Sequence, residues 1–195
     1  MSYSLDPIAD NCYPGTTVLI NKQDIREARD LDETEAFLTL LNAAKLDIEP
    51  YKGSFDFDHY KALHKFLFDE LYDWAGKVRT VNISKKGTQF CPCEQIEERA
   101  YLIFRRLKEM NYFKGLEKIT FVSEVVDFYC ATNELHPFRE GNGRAQRAFI
   151  TQLIRFAGHD FAFSGVNEDL LMIATIQSAN GVADMLKEIF TEAID

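Results

Sequence analysis

The stretch HPFREGNGRAQR, His136 to Arg147, packs a histidine, an acid, two glycines, an asparagine and three arginines into twelve positions. Pro137 disfavours helical geometry at the residue before it, so a preceding helix should end near His136 and leave its ring facing a cleft. Phe138, the apolar residue of the turn, is expected to plug into the core and anchor the loop. Gly141, Asn142 and Gly143 then open the next helix. Glycine permits positive φ and close approach to the backbone, and successive N–H groups at a helix start form an anion-binding nest. Arg144 and Arg147, three residues apart, lie on one side of the first turns. Two guanidiniums beside a nest make a phosphate site. Arginine in a first turn opposes the helix dipole, which is unfavourable unless an anion or an acid compensates. Glu140 would repel an anion unless a cation bridged them, and Mg²⁺ is the cation that one or two carboxylates hold jointly with phosphates. The set reads as a site for ATP·Mg²⁺ with a histidine beside it.

The rest of the chain supplies a setting for such a site. Its 195 residues fit one domain. A composition 46% hydrophobic and 13% aromatic supports one sizeable core and excludes intrinsic disorder. The net charge of −9 argues against nucleic acid as a direct partner. No apolar run approaches the ~20 residues that span a membrane, and the opening MSYSLDPIADNCYPG lacks the pattern of a signal peptide, so the expectation is a cytoplasmic protein. Cys91-Pro92-Cys93 is too compressed for zinc and no second ligand pair follows. Cys12, Cys91, Cys93 and Cys130 are therefore expected to be reduced thiols.

Helical signals dominate. After an arm over residues 1–20 with a turn at Tyr13-Pro14-Gly15, a helical region begins, with Asn21 and Asp32 as plausible N-caps. Residues 56–73 place Phe57, Tyr60, Leu63, His64, Leu67 and Leu71 at three- and four-residue steps. His59 and His64 are five apart, a poor metal spacing, and read as structural or solvent-facing. Gly76 ends this helix. The β-branched Val78, Thr80, Val81 and Ile83, followed by a Lys85-Lys86-Gly87 turn, predict a short hairpin. A lone hairpin must lean on the helices, and one edge is left open. Further helices are expected over 94–111, 117–135, from the glycines to about 156, over 167–178 and over 182–193. The one carrying Phe149, Ile150, Leu153 and Ile154 is apolar nearly all round and should be central.

HPFREGNGRAQR resembles the Fic motif, HPFx[DE]GNGRxxR, at all nine fixed positions. VRTVNISKKGTQFCP is similar to the family's hairpin flap, and NKQDIREARDLDETEA to its N-terminal helices. The resemblance implies an all-α fold, a Fic-type helical bundle with a short β-hairpin flap over about 78–93, in a single domain over 21–195. It implies an enzyme that transfers AMP from ATP to a Tyr, Thr or Ser hydroxyl of a target protein. His136 would be the general base. Glu140 would hold Mg²⁺. The backbone and side chain of Asn142, with the Gly141 and Gly143 amides, would hold the α- and β-phosphates. Arg144 would neutralise charge on the departing pyrophosphate, and Arg147 would grip the γ-phosphate. Ile83, Ser84, Lys85, Lys86, Gly87 and Thr88 of the flap would register the target, and residues 175–182 would lie near the ribose or base.

Many relatives are held inactive by a helix carrying [ST]xxxE[GN], whose glutamate pairs with the arginine matching Arg147. TFVSEV at 120–125 and SGVNED at 164–169 come closest here, and both end wrongly. The resemblance thus points to a toxin whose separate small antitoxin supplies the glutamate. A type II topoisomerase subunit is one candidate target. The alternatives are transfer of another nucleotide or of phosphate, and a non-catalytic nucleotide-binding regulatory module. Gly143 argues against the phosphorylating Doc relatives, which carry lysine there.

Overall fold

The computed structural model describes residues 4–5, 11–85 and 88–195. Seven α-helices are found among them: α1 (Ala28–Ile48), α2 (Phe57–Phe68), α3 (Ile96–Glu109), α4 (Lys118–Leu135), α5 (Asn142–Ala157), α6 (Glu168–Ala179) and α7 (Asp184–Ala193). Short strands β1 (Ser4–Leu5), β2 (Ile83–Lys85) and β3 (Thr88–Gln89) complete the elements used below. The fold is the expected helical bundle with a small β flap.

Helix α5 is the central element, packed against α1, α2 and α4. Its Ala145, Phe149, Ile150, Leu153 and Ile154 are fully buried. Burial of a side chain such as Phe149 contributes roughly 1.5–3 kcal/mol, so this apolar helix holds the bundle together and fixes where its first turn lies. Gly158, with φ of 104°, stops it.

The helix starts on the N-terminal side differ from expectation. α1 begins at Ala28, so Asp32 lies inside it. Asn21 closes the turn before the helix instead. Its Oδ1 accepts the N–H groups of Gln23 and Ile25 at 3.2 and 3.0 Å, and its Nδ2 donates to the carbonyls of Leu19 and Ile25. Asparagine competes well for such local backbone bonds. α2 starts where Asp56 accepts the His59 N–H at 2.8 Å. It ends at Phe68, five residues short of the periodic pattern, because a chain of turns continues to bury Leu71 and Tyr72. Gly76 closes those turns at φ of 77°.

The flap is smaller than the expected hairpin and has a third strand. Ser84 faces Gln89 and Lys85 faces Thr88. On the other side of β2, Ser4 faces Ser84 and Leu5 faces Ile83, both antiparallel. The sheet order is β1-β2-β3, so the outer edge of β2 is taken by β1. Lys86 and Gly87 of the turn lie outside the described residues. Residues 11–20 do not stand apart as an arm: Tyr13, Val18 and Leu19 join the core, and Tyr13 Oη donates to Asp24 at 3.1 Å. The four cysteines are unpaired thiols. No helix among the described residues is long and apolar enough to cross a membrane.

Candidate active site

The loop between α4 and α5 is built from the inside out. Phe138 is fully buried, with its ring stacked on His64 at 3.8 Å and on Tyr60 at 5.5 Å between centroids. Asn142 brackets the loop from the helix side. Its Oδ1 accepts the Phe138 N–H and its Nδ2 donates to the Phe138 carbonyl, both at 2.8 Å. That side chain is committed to the loop, which leaves the backbone N–H as its contribution to a ligand. His64 fixes the far end. Its Nδ1 accepts the Gly76 N–H at 2.9 Å, so its Nε2 carries the proton and donates to the Glu140 carbonyl at 2.9 Å. Burial pushes the His64 pKa down to about 4, so the ring is a neutral strut. His59 is also buried, so neither helix histidine faces solvent.

Gly141 is required on two counts. Its φ is 76°, and a Cβ there would lie 2.2 Å from Cζ of Phe68. The loop therefore rests directly on an aromatic face. Helix α5 begins at Asn142, so the Asn142 and Gly143 N–H groups have no intrahelical acceptor. The Gly141 N–H donates to Oε1 of Glu140 at 2.9 Å. Burial raises the Glu140 pKa, with the Gly141 N–H opposing it. A half-buried carboxylate beside open backbone donors is a setting in which a divalent cation and phosphate oxygens compensate each other.

His136 caps α4 in the left-handed region, at φ of 41° and ψ of 60°. Such a backbone is uncommon for a residue with a Cβ, and it turns the chain out of α4 just before Pro137. The ring stacks on Phe90 with centroids 3.7 Å apart. Its Nδ1 lies 3.0 Å from the Asn133 carbonyl, which can only accept, so Nδ1 is protonated and Nε2 carries the lone pair. Burial lowers the pKa to about 3, and the charges of Lys85 and Arg79 act in the same direction. This is far below the ordinary value near 6.5 expected from the residue type.

Two arginines start α5, and their surroundings differ. Arg144 forms an ion pair with Glu35 of α1, donates to Thr39 Oγ1 at 3.1 Å and lies over the Phe68 ring at 4.8 Å. Glu140 Oε1 is 3.9 Å away. The Arg147 side chain makes no hydrogen bond or ion pair among the described residues. One of its Nη atoms would be 3.5 Å from a Cβ on Gly143, so its guanidinium lies beside the nest. Burial lowers its pKa, the sign of a cation short of solvent.

Two residues of this site were missed in the sequence reading. Glu35 sat in an acidic run that resembles a solvated helix face. Arg79 sat within the hairpin segment, yet only 5% of it is exposed. It donates through Nε to the His136 carbonyl at 2.8 Å and through Nη1 to Val81 at 2.7 Å, and its other Nη reaches the Cys91 carbonyl. Its own N–H donates to Pro137. One side chain thus ties both legs of the flap to the motif. Of the flap residues, Ile83 is buried, while Ser84, Lys85 and Thr88 are half-buried. A cavity of about 450 Å³ lies behind β3, lined by Thr88, Phe90, Cys130, Asn133, Ser178 and Ala179 among others. It adjoins His136 through Phe90 and Asn133, and of the 175–182 segment Ser178 and Ala179 line it.

A histidine, a carboxylate, a helix-start nest and two guanidiniums at one end of a helical bundle form a setting suited to a phosphorylated ligand. The chain belongs to the Fic/DOC family, whose model matches residues 54–154. It is 34% identical over 182 residues to the probable protein adenylyltransferase Fic of Escherichia coli, spanning 93% of this chain and 90% of that protein. It is 37% identical over 177 residues to the probable protein adenylyltransferase y4lH of Sinorhizobium fredii, spanning 90% of this chain and 89% of that one. Among solved structures, the BepC protein of Bartonella tribocorum with bound AMPPNP superposes with a TM-score of 0.88 at 29% identity, over 95% of this chain and 96% of that chain. The N-terminal Fic domain of a Bartonella quintana effector with bound ADP gives 0.90 at 27% identity, over 95% and 94% of the two chains.

Proposed function

We propose that this chain is a protein adenylyltransferase that moves AMP from ATP to a hydroxyl of a target protein. The observation that carries the reading is the joining by one buried loop of the His136 ring, with its lone pair on Nε2, to the open N–H groups and the two guanidiniums at the start of α5. The names of the relatives and the nucleotides in the superposed structures point the same way.

In this reading the target hydroxyl oxygen attacks the α-phosphorus of ATP and forms the new O–P bond. The bond from that phosphorus to the bridging oxygen of the β-phosphate breaks, and pyrophosphate leaves. The hydroxyl proton goes to His136 Nε2. A base whose pKa is about 3 in the nucleotide-free protein is weak. The triphosphate's negative charge beside the ring raises that pKa and makes the histidine a better base when substrate is present. The Asn142 and Gly143 N–H groups receive phosphate oxygens, and Arg144 and Arg147 neutralise the leaving group's charge. Glu140 is the carboxylate that would hold Mg²⁺, which supplies charge neutralisation at the phosphates when bound. The cavity behind β3 receives the ribose and base. The target adds an extended segment to the edge of the flap left by β3, with Thr88 and Gln89 nearest to it, since β1 occupies the outer edge of β2.

The partners follow from the same resemblance. A small antitoxin acting from outside would direct a glutamate to Arg147. Exposed Phe37, Leu40 and Leu41 on α1, and Leu170, Ile173 and Ile176 on α6, offer apolar area for it to cover. A type II topoisomerase subunit is a candidate target.

Incubation with α-³²P-ATP or γ-³²P-ATP, Mg²⁺ and bacterial lysate tests the reading. Label from the α-phosphate alone is expected, and the His136→Ala variant should lose at least about 100-fold of it while still binding ATP. Label from the γ-phosphate alone would identify a kinase. Transfer that survives in the variant would remove His136 as the base.

A further inference from the structure

Arg144 poses a physical problem that Glu35 solves. An arginine in the first turn of a helix faces the positive end of the dipole and the open N–H groups. It also stands near Arg147, a second cation. Without an acid it would be driven out toward water. Glu35 projects from the second turn of α1, 8% exposed, and pairs with the Arg144 guanidinium. Its other carboxylate oxygen accepts from Tyr72 Oη. Thr39, one turn further along α1, donates its hydroxyl to the Glu35 carbonyl at 2.7 Å, which turns its lone pairs to the Arg144 Nη1 that reaches it at 3.1 Å. Burial and the Glu35 charge both raise the Tyr72 pKa, so the phenol stays a donor. The Phe68 ring supports the guanidinium from one side. Its Nη2, the atom that meets Glu35, is 3.9 Å from Glu140, so the pair spans from the core of the bundle to the nest.

Stability alone does not account for this arrangement. Replacing a buried ion pair by apolar residues of similar volume is often neutral or stabilising. Glu35 has both oxygens occupied, and Arg144 is contacted by an acid, a hydroxyl and a ring. That geometry fixes the direction of a charged side chain at the site.

We propose that Glu35 is a positioning residue for the transfer reaction, holding the Arg144 guanidinium in register with the nest before nucleotide arrives. Glu35 acts through Arg144 and itself touches no substrate. The inference rests on the reading of the nest as the triphosphate site, and ATP affinity and AMP transfer are therefore measured separately.

The test is a double-mutant cycle of Glu35→Ala and Arg144→Ala, with Glu35→Gln as the milder variant that keeps an acceptor for Arg144. ATP·Mg²⁺ affinity is read by calorimetry, α-³²P transfer in lysate gives the second readout, and thermal melts report folding. Glu35→Ala should lower transfer about 10- to 100-fold, and Glu35→Gln about 3- to 10-fold. In the Arg144→Ala background, Glu35→Ala should cost less than about 2-fold more. An equal loss in both backgrounds would make Glu35 a general structural prop and overturn the proposal. A rise in transfer on removing Glu35 would mean that it holds Arg144 away from substrate, and would overturn it too. If Glu35→Ala fails to fold, the cycle is run with Glu35→Gln, and the same comparison decides. If wild-type protein transfers nothing but binds ATP, the functional reading fails by itself, and a loss of affinity dependent on Arg144 still supports the positioning role.

Discussion

The motif loop and the flap lie on either side of His136, and the protein holds them by different means. The loop is over-determined. Phe138 is sandwiched between rings, Asn142 bonds it twice, His64 holds the Glu140 carbonyl, and Gly141 rests on Phe68. The flap has two residue pairs between β2 and β3 and two between β1 and β2. Its ties to the bundle include the Arg79 side chain and the Cys91 N–H, which donates to Glu134 at 3.0 Å. A nucleotide is the same molecule every time, and a rigid site suits it. A target segment is a peptide whose side chains must be accommodated, and a lightly held strand pair suits that.

The largest effect expected from breaking this contrast is on the loop. Phe138→Ala opens a cavity under Tyr60 and His64 and should destabilise the fold by about 3–5 kcal/mol, read by urea unfolding. Loss of ATP binding should accompany it, because the nest is carried on the same loop. A cost under about 1 kcal/mol would mean that the bracket by Asn142 holds the loop without the anchor.

Next in size is the pH dependence of the loop's strut. His64 has a folded pKa of about 4 against an ordinary value near 6.5. The unfolded chain therefore binds the extra proton first as pH falls. The stability is fully present above pH ~6.5 and is lost progressively down to pH ~4, by about 3 kcal/mol in all. His136 and His59 are shifted in the same direction, so unfolding midpoints compared between the wild-type protein and a His64→Ala variant isolate His64. Profiles of equal slope between these limits would show that His64 is protonated in the fold.

The loop was legible in the sequence and the flap was less so, for a physical reason. HPFREGNGRAQR carries its chemistry in consecutive residues, and Pro137 and the glycines dictate the local backbone. The buried stripe of α5 was readable from its periodicity. Helix ends on the N-terminal side were not, because Asn21 caps a turn as readily as a helix, and because Leu71 and Tyr72 keep the helical rhythm while in turns. Glu35 and Arg79 could not be found from spacing. Each reaches the site through a fold contact, with Glu35 and Arg144 109 positions apart in the sequence and Arg79 and His136 57 positions apart. The signal available for Arg144 was indirect: a cation at a helix start implied an acid somewhere, and only the packing of α1 said which.

Arg79 gives the smallest and most selective way to sharpen the comparison. Its guanidinium reaches carbonyls of Val81, Cys91 and His136, so it is the joint between the two regions. Arg79→Lys keeps the positive charge that helps depress the His136 pKa, but a lysine cannot serve three divergent acceptors with the fixed fork of a guanidinium. The expected stability cost is about 1–3 kcal/mol, since the buried carbonyls of His136 and Cys91 lose their guanidinium donor. Calorimetric ATP affinity should stay within about 2-fold, because the nest and both α5 arginines are untouched, while transfer to a target should fall about 10-fold as the flap loses its setting relative to His136. The pH midpoint of the remaining activity should not move, since the charge is retained. If affinity and transfer fell together, Arg79 would belong to the nucleotide half of the site, and the division between a rigid loop and an adaptable flap would be wrong.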